Sequence, residues 1–141
     1  MKIFVLITVL LMVSCNAQKD MIDTTKNLHD IWALKALNGK EVDLEDLNNR
    51  NQRPILEIFV AERRIGGNDG CNSIFGSITE LKANTIRFGT LGGTKMACPD
   101  MKLPSNYTMA LQEVDSFSIE KLHLYFYNKE GIEVLKFIKI D

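Results

Sequence analysis

Ser105-Asn106-Tyr107-Thr108-Met109-Ala110-Leu111-Gln112-Glu113-Val114-Asp115, followed by Phe117-Ser118-Ile119 and Leu122-His123-Leu124-Tyr125-Phe126-Tyr127, decides the fold class of this chain. Tyr107, Ala110, Leu111 and Val114 recur at i, i+3, i+4 and i+7, the spacing of one apolar helix face. Thr108, Gln112, Glu113 and Asp115 carry the polar face, and Ser105 or Asn106 is the expected N-cap, because a short side-chain oxygen there accepts an orphan N–H. The two apolar runs that follow have the period of strands. Asn128-Lys129-Glu130-Gly131 then turns the chain, and Ile132 to Ile140 returns as a last hairpin.

Upstream of the helix only strand patterns occur. In Ile31-Trp32-Ala33-Leu34-Lys35-Ala36-Leu37, Trp32, Leu34 and Ala36 share a face, Asn38-Gly39 is a hairpin turn signal, and Glu41-Val42 begins a return. Residues 45–53 form a polar loop. Pro54 to Val60 reads as a central strand, with Leu56, Ile58 and Val60 on one face and Ile55 and Phe59 on the other. Ile65-Gly66-Gly67-Asn68-Asp69-Gly70-Cys71-Asn72 is rich in residues that tolerate positive φ and reads as tight turns. Ser73 to Ile78 and Thr85 to Phe88 are two further strands, with Ala83-Asn84 turning between them. Strands, one main helix and a closing hairpin predict a single small α+β domain with a curved, mostly antiparallel β-sheet, partly barrel-like.

The N-terminus carries an address. Lys2 is followed by an apolar run from Ile3 to Val13, then Ser14-Cys15 and the polar Asn16-Ala17-Gln18-Lys19-Asp20. A run of about 11 residues is short of the ~20 that span a bilayer, so it reads as a signal peptide. Ser14-Cys15 has the layout of a lipid-acceptor site, although Met12 stands where such a site usually has Leu. The alternative is cleavage near Ala17, leaving a soluble periplasmic or secreted protein. The expected organisation is a signal peptide over 1–14, lipidated Cys15 with a polar tether over 15–28, and the domain over 29–141. Asn16 after the lipid cysteine, in place of a retaining Asp, favours the outer membrane.

Formal net charge is −1, with 25% charged and 45% apolar residues. That balance offers no basic surplus for nucleic acid and no acidic tail. Glu62-Arg63-Arg64 is too short to be more than a solvated strand end. With Cys15 carrying lipid, Cys71 and Cys98 are left as an even pair in an exported chain, which suggests one disulfide. Free thiols and a redox pair remain open, the latter without the usual C-x-x-C spacing.

Trp32-Ala33-Leu34, Gly66-Gly67-Asn68-Asp69-Gly70-Cys71-Asn72 with Phe75-Gly76, and Leu91-Gly92-Gly93-Thr94-Lys95-Met96-Ala97-Cys98-Pro99 occur in that order. With the helix and the closing Leu122-His123-Leu124-Tyr125 and Leu135-Lys136-Phe137, they resemble the META domain, or HslJ-like, family from about Leu28 to Phe137. The resemblance implies a small α+β domain, often envelope-associated and lipid-anchored in bacteria. Family members are linked to heat-shock induction, novobiocin tolerance and, in parasites, virulence and secretion. It implies no agreed active site. The acidic residue that family members often carry soon after the second cysteine is missing from Met101-Lys102-Leu103-Pro104-Ser105-Asn106, where Asp100 is the nearest acid.

Other chemistries lack parts. Neither Gly66 to Gly70 nor Gly92-Gly93-Thr94-Lys95 has P-loop spacing. His29 and His123, the two histidines, are not in zinc-ligand spacing with the cysteines. No G-x-S-x-G occurs. Glu41/Asp43 and Glu45/Asp46 read as solvated carboxylates, and Asn106-Tyr107-Thr108, a glycosylation triplet, is accounted for by the helix start. Tyr125 and Tyr127, opposite Phe126, leave an aromatic strip open as a binding surface. The expectation is a non-enzymatic, lipid-anchored envelope protein without cofactor or metal. It would be monomeric, partnered by the membrane and by another envelope protein, and active in envelope stress or antibiotic tolerance. The alternatives are a small-molecule or peptide binding module and a thiol-redox or hydrolytic enzyme.

Overall fold

The computed structural model describes residues 25–42 and 52–140. Asn38 and Gly39, both at positive φ, join β1 (Ile31–Leu37) to the short β2 (Lys40–Glu41), as the Asn-Gly signal predicts. β3 (Ile55–Phe59), β4 (Arg64–Asn68), β5 (Ser73–Lys82) and β6 (Thr85–Phe88) follow, then β7 (Gly92–Gly93) beside β5. Helix α1 (Lys102–Glu113) precedes β8 (Ser116–Glu120), β9 (His123–Tyr127) and β10 (Glu133–Lys139).

Every strand pairing is antiparallel, in the order β10-β9-β8-β6-β5-β4-β3-β1. β10 then pairs with β1, from Trp32 opposite Lys139 to Leu37 opposite Leu135. Eight strands therefore form a closed barrel, where the sequence reading expected a sheet only partly barrel-like. Closure gives every wall strand two neighbours and removes free sheet edges. β2 and β7 lie off this ring. The seam between β6 and β8 is its narrowest pairing, with Thr85 opposite Ser116. Ile86 N–H to Asp115 O at 3.2 Å and Phe117 N–H to Asn84 O at 2.8 Å flank that pair. Arg87 Nε donates to Asp115 Oδ1 at 2.7 Å across the same seam, and its guanidinium also pairs with Glu80.

α1 packs against β10, β1 and β6. β6 lies across the ring from β1 and β10, so the helix closes one mouth of the barrel. Its buried Tyr107, Ala110 and Leu111, with Val114 just beyond, are the residues of the 3.6-residue pattern. Tyr107 meets Phe137 edge-on at 6.2 Å. Phe137 meets Phe126, and Phe126 meets Phe88, each at 5.7 Å. This chain of edge-to-face contacts carries the core from helix to far wall, at about 0.5–1.5 kcal/mol per pair beyond burial.

Three local expectations are corrected. α1 begins at Lys102, before the expected Ser105 or Asn106 cap, and Pro104 occupies its first turn, where the N–H that proline lacks has no helical partner to lose. Met101 is the N-cap and makes no side-chain cap bond, while Asp100 Oδ1, one residue earlier, accepts the Lys102 N–H at 2.8 Å. Arg64 to Asn68 is a strand rather than a turn, because Gly67, at φ 133, lets β4 approach β3. A Cβ there would stand 2.0 Å from Ile55 O. Leu28, expected at the end of the tether, is fully buried, and its carbonyl accepts the Trp32 indole N–H at 3.0 Å.

Candidate functional site

The β4–β5 loop and the segment between β7 and α1 meet at the mouth that α1 closes. Cys71 and Cys98 are joined there by a disulfide with Cα atoms 6.1 Å apart, which settles the open question of their state in favour of the bridge. Polar side chains do the rest of the fastening. Asp69, 6% exposed, accepts the N–H groups of Cys71 at 2.8 Å and Asn72 at 2.6 Å on Oδ1, a turn that Asp forms readily with its own backbone. Its own N–H donates to Asn72 O at 2.9 Å. The loop is thereby held so that Asn72 points across to the facing segment.

Asn72, also buried, uses both ends of its amide. Oδ1 accepts the Met96 N–H at 2.6 Å and the Thr94 hydroxyl at 2.9 Å, and Nδ2 donates to Met96 O at 3.3 Å. Thr94 and Ser73 exchange backbone and hydroxyl bonds alongside. Residues 94–98 are thus clamped twice, covalently at Cys98 and by hydrogen bonds at Met96, before the chain enters α1. Each net hydrogen bond is worth about 1 kcal/mol, and a buried amide left unpaired costs more than that.

Tyr107 lies in the core behind this clamp. Burial pushes its phenol far above the ordinary range, and the negative charge of Asp69 adds to the shift. Its hydroxyl has no hydrogen-bond partner among the described residues. Around the clamp, Phe75, Met96 and Met101 are exposed, an apolar surface at the disulfide end.

The remaining sequence candidates lie elsewhere. His29 Nδ1 accepts the Val60 N–H at 3.4 Å and its ring stands edge-on to Phe59. His123 begins β9 and lies against Tyr125. The Tyr125–Tyr127 strip is half-buried. Lys136 Nζ sits 5.4 Å above the Tyr125 ring, and Tyr127 Oη shares a 3.0 Å hydrogen bond with Ser118. Among the described residues no group of three His, Cys, Asp or Glu is placed to hold a metal ion. Glu41 is exposed on β2. Cys15, the signal peptide and Asp43, Glu45 and Asp46 lie outside the described residues. The tasks of Asp69 and Asn72 are not legible in the sequence, because the partners of Asn72 at 94–96 are set by folding rather than by spacing.

Solved structures share this architecture. A protein from Burkholderia xenovorans, determined by NMR, aligns with a TM-score of 0.64 at 25% identity, covering 82% of this chain and 86% of its own. A second NMR structure aligns at 0.59 and 20% identity over 82% and 94%. A crystal structure of a DUF4847-family protein from Bacteroides vulgatus aligns at 0.54 and 15% identity over 81% and 96%. The last two show the fold alone. No match was found among curated proteins. The META domain family profile matches residues 26–140, which takes in both clamp segments and the whole barrel, and the chain belongs to the META domain, or HslJ-like, family.

Proposed function

We propose that this protein is a non-enzymatic, lipid-anchored envelope protein whose META barrel binds or supports another envelope component under stress. Acylated Cys15 holds it at a membrane surface, with the outer membrane as the favoured site. The observation that carries the reading is the Cys71–Cys98 bridge in a chain with an export-type leader. Disulfides persist in oxidising compartments and are rare in the cytosol. Family membership agrees with an envelope role. The polar groups nearest the bridge, Asp69 and Asn72, spend their hydrogen bonds on holding the backbone. The protein works as a monomer, without cofactor and without nucleic acid. An acyl chain adds ~0.8 kcal/mol per buried CH₂, and the two or three chains of a bacterial lipoprotein hold firmly.

The test is an intact mass of the protein extracted from its native membrane and alkylated without reduction. Residues 15–141 plus diacylglycerol and acyl groups, with no alkylation, is the expected result. An unlipidated mass with alkylated thiols overturns the reading.

A further inference from the structure

We propose that the barrel seats the end from which its N-terminal tether leaves on the lipid bilayer, with Ile31 and Leu122 entering the boundary between headgroups and acyl chains. The proposal rests on the acylated Cys15 of the reading above. The exit direction of the chain is built into the fold. Leu28 N–H donates to Thr25 O at 3.2 Å, His29 N–H to Lys26 O at 3.1 Å, and Trp32 Nε1 to the carbonyl of the buried Leu28. Residues 25–28 are therefore fastened beneath the start of β1, at the end of the barrel opposite the disulfide.

Two exposed aliphatic side chains stand at that same end. The tail of β10 runs between the start of β1 and the start of β9. Ile140 N–H donates to Ile31 O at 3.0 Å, and Lys139 N–H to Leu122 O at 2.8 Å. Ile31 and Leu122 are thus two strand spacings apart, about 10 Å. They are 41% and 56% exposed. The charges around them leave a surplus of two positive groups. Lys26, Arg63, Arg64 and Lys121 are exposed with Glu62 and Glu120, and Lys139 pairs with Asp30 at 2.6 Å. That mild surplus adds attraction to anionic headgroups beside the apolar insertion of Ile31 and Leu122.

The tether chooses the occupant. Nine residues separate Cys15 from Thr25, ten Cα-to-Cα steps with a reach of at most ~35 Å. Tethering turns membrane contact into an intramolecular event, and the face nearest the attachment point meets the bilayer at the highest effective concentration. Interfacial binding grows with the apolar area inserted. Seating this end turns the disulfide end, with Phe75 and Met96, away from the membrane.

Leu122 and Ile132 sit at opposite ends of the β9–β10 hairpin, about 17 Å apart along five strand residues. Both are exposed, so each tolerates a label. Full-length lipidated protein carrying Leu122→Cys or Ile132→Cys is labelled with a fluorophore without reduction, so that Cys71–Cys98 stays closed. It is then reconstituted in phosphatidylcholine vesicles containing brominated lipid. The expected result is quenching several-fold stronger at 122 than at 132, reduced when Ile31→Ser is added. A lipidated mass with equal quenching at the two positions, or with more at 132, overturns the docking and leaves the anchor standing. A preference for 122 that appears only when anionic phosphatidylglycerol is added overturns the apolar mode. An unlipidated mass overturns docking and anchor together.

Discussion

Asn72 and Met96 face each other as two residues of a strand pair would, side-chain amide against backbone. Oδ1 accepts the Met96 N–H at 2.6 Å and Nδ2 donates to Met96 O at 3.3 Å. One side chain thereby replaces a peptide group and fixes residues 94–98 where no full strand forms. Asn72→Ala removes both bonds and the one from Thr94, leaving the Met96 amide without its partner. The expected loss is about 2–3 kcal/mol, at net bond values of about 1 kcal/mol each plus the unpaired group. Urea unfolding at neutral pH measures it, and a loss below half a kilocalorie would mean the clamp contributes little beside the disulfide.

The disulfide acts with that clamp on one segment. Opening it, by Cys71→Ser with Cys98→Ser, should cost about 3 kcal/mol through the greater entropy of the unfolded chain. The cost should exceed the sum of the separate losses when combined with Asn72→Ala, because the two share the 94–98 segment. A double-mutant cycle by chemical denaturation reads the coupling, and strict additivity would show that the two fastenings act independently.

Two glycines separate close approach from turn conformation. Gly67→Ala places a Cβ 2.0 Å from Ile55 O at φ 133, so β3 and β4 must part. Gly39→Ala meets nothing within 4 Å at φ 75 and suffers only backbone strain. The expected outcome is about 1 kcal/mol lost at Gly39, the usual penalty for a side chain in that region, and several times more at Gly67. Melting temperatures of the two variants, taken side by side, test the order.

Tyr107 makes stability depend on alkaline pH. Its phenol ionises near ~10 in an unfolded chain. Burial beside Asp69 raises that value in the folded protein. The neutral buried phenol therefore contributes stability that is fully present below about pH 10 and is lost as pH rises further. The loss approaches ~1.4 kcal/mol per pH unit while the folded phenol stays protonated. Tyr107→Phe should flatten the fall above pH 10 relative to the parent. At pH 7 it should be neutral or mildly stabilising, since the hydroxyl has no partner among the described residues. Denaturation midpoints from pH 7 to 11 decide, and parallel curves for the two proteins would contradict a buried neutral phenol.

Short-range chemistry made much of the fold legible. The apolar stripe of Tyr107, Ala110, Leu111 and Val114 is a property of the helix period, and all four are buried. Asn38-Gly39 specifies its turn because few residues accept positive φ twice running. In β9, Leu124 and Phe126 face the core while Tyr125 does not, as strict alternation requires. Cysteine arithmetic beside an export-type leader suggests the disulfide, and motif order suggests the family.

What the tertiary structure alone decided concerns partners distant along the chain. β1 meets β10 across about a hundred residues, and that pairing turns a curved sheet into a closed barrel. Gly66 and Gly67 look like turn residues in isolation, yet they form a strand, because β3 must pass within contact of their backbone. Asp69 and Asn72 become a clamp once folding brings Thr94 and Met96 beside them. Periodicity and turn propensity are set by neighbours a few residues away and are written in the sequence. Closure, register and the pairing of buried amides depend on which distant segments meet, and only the assembled core settles that.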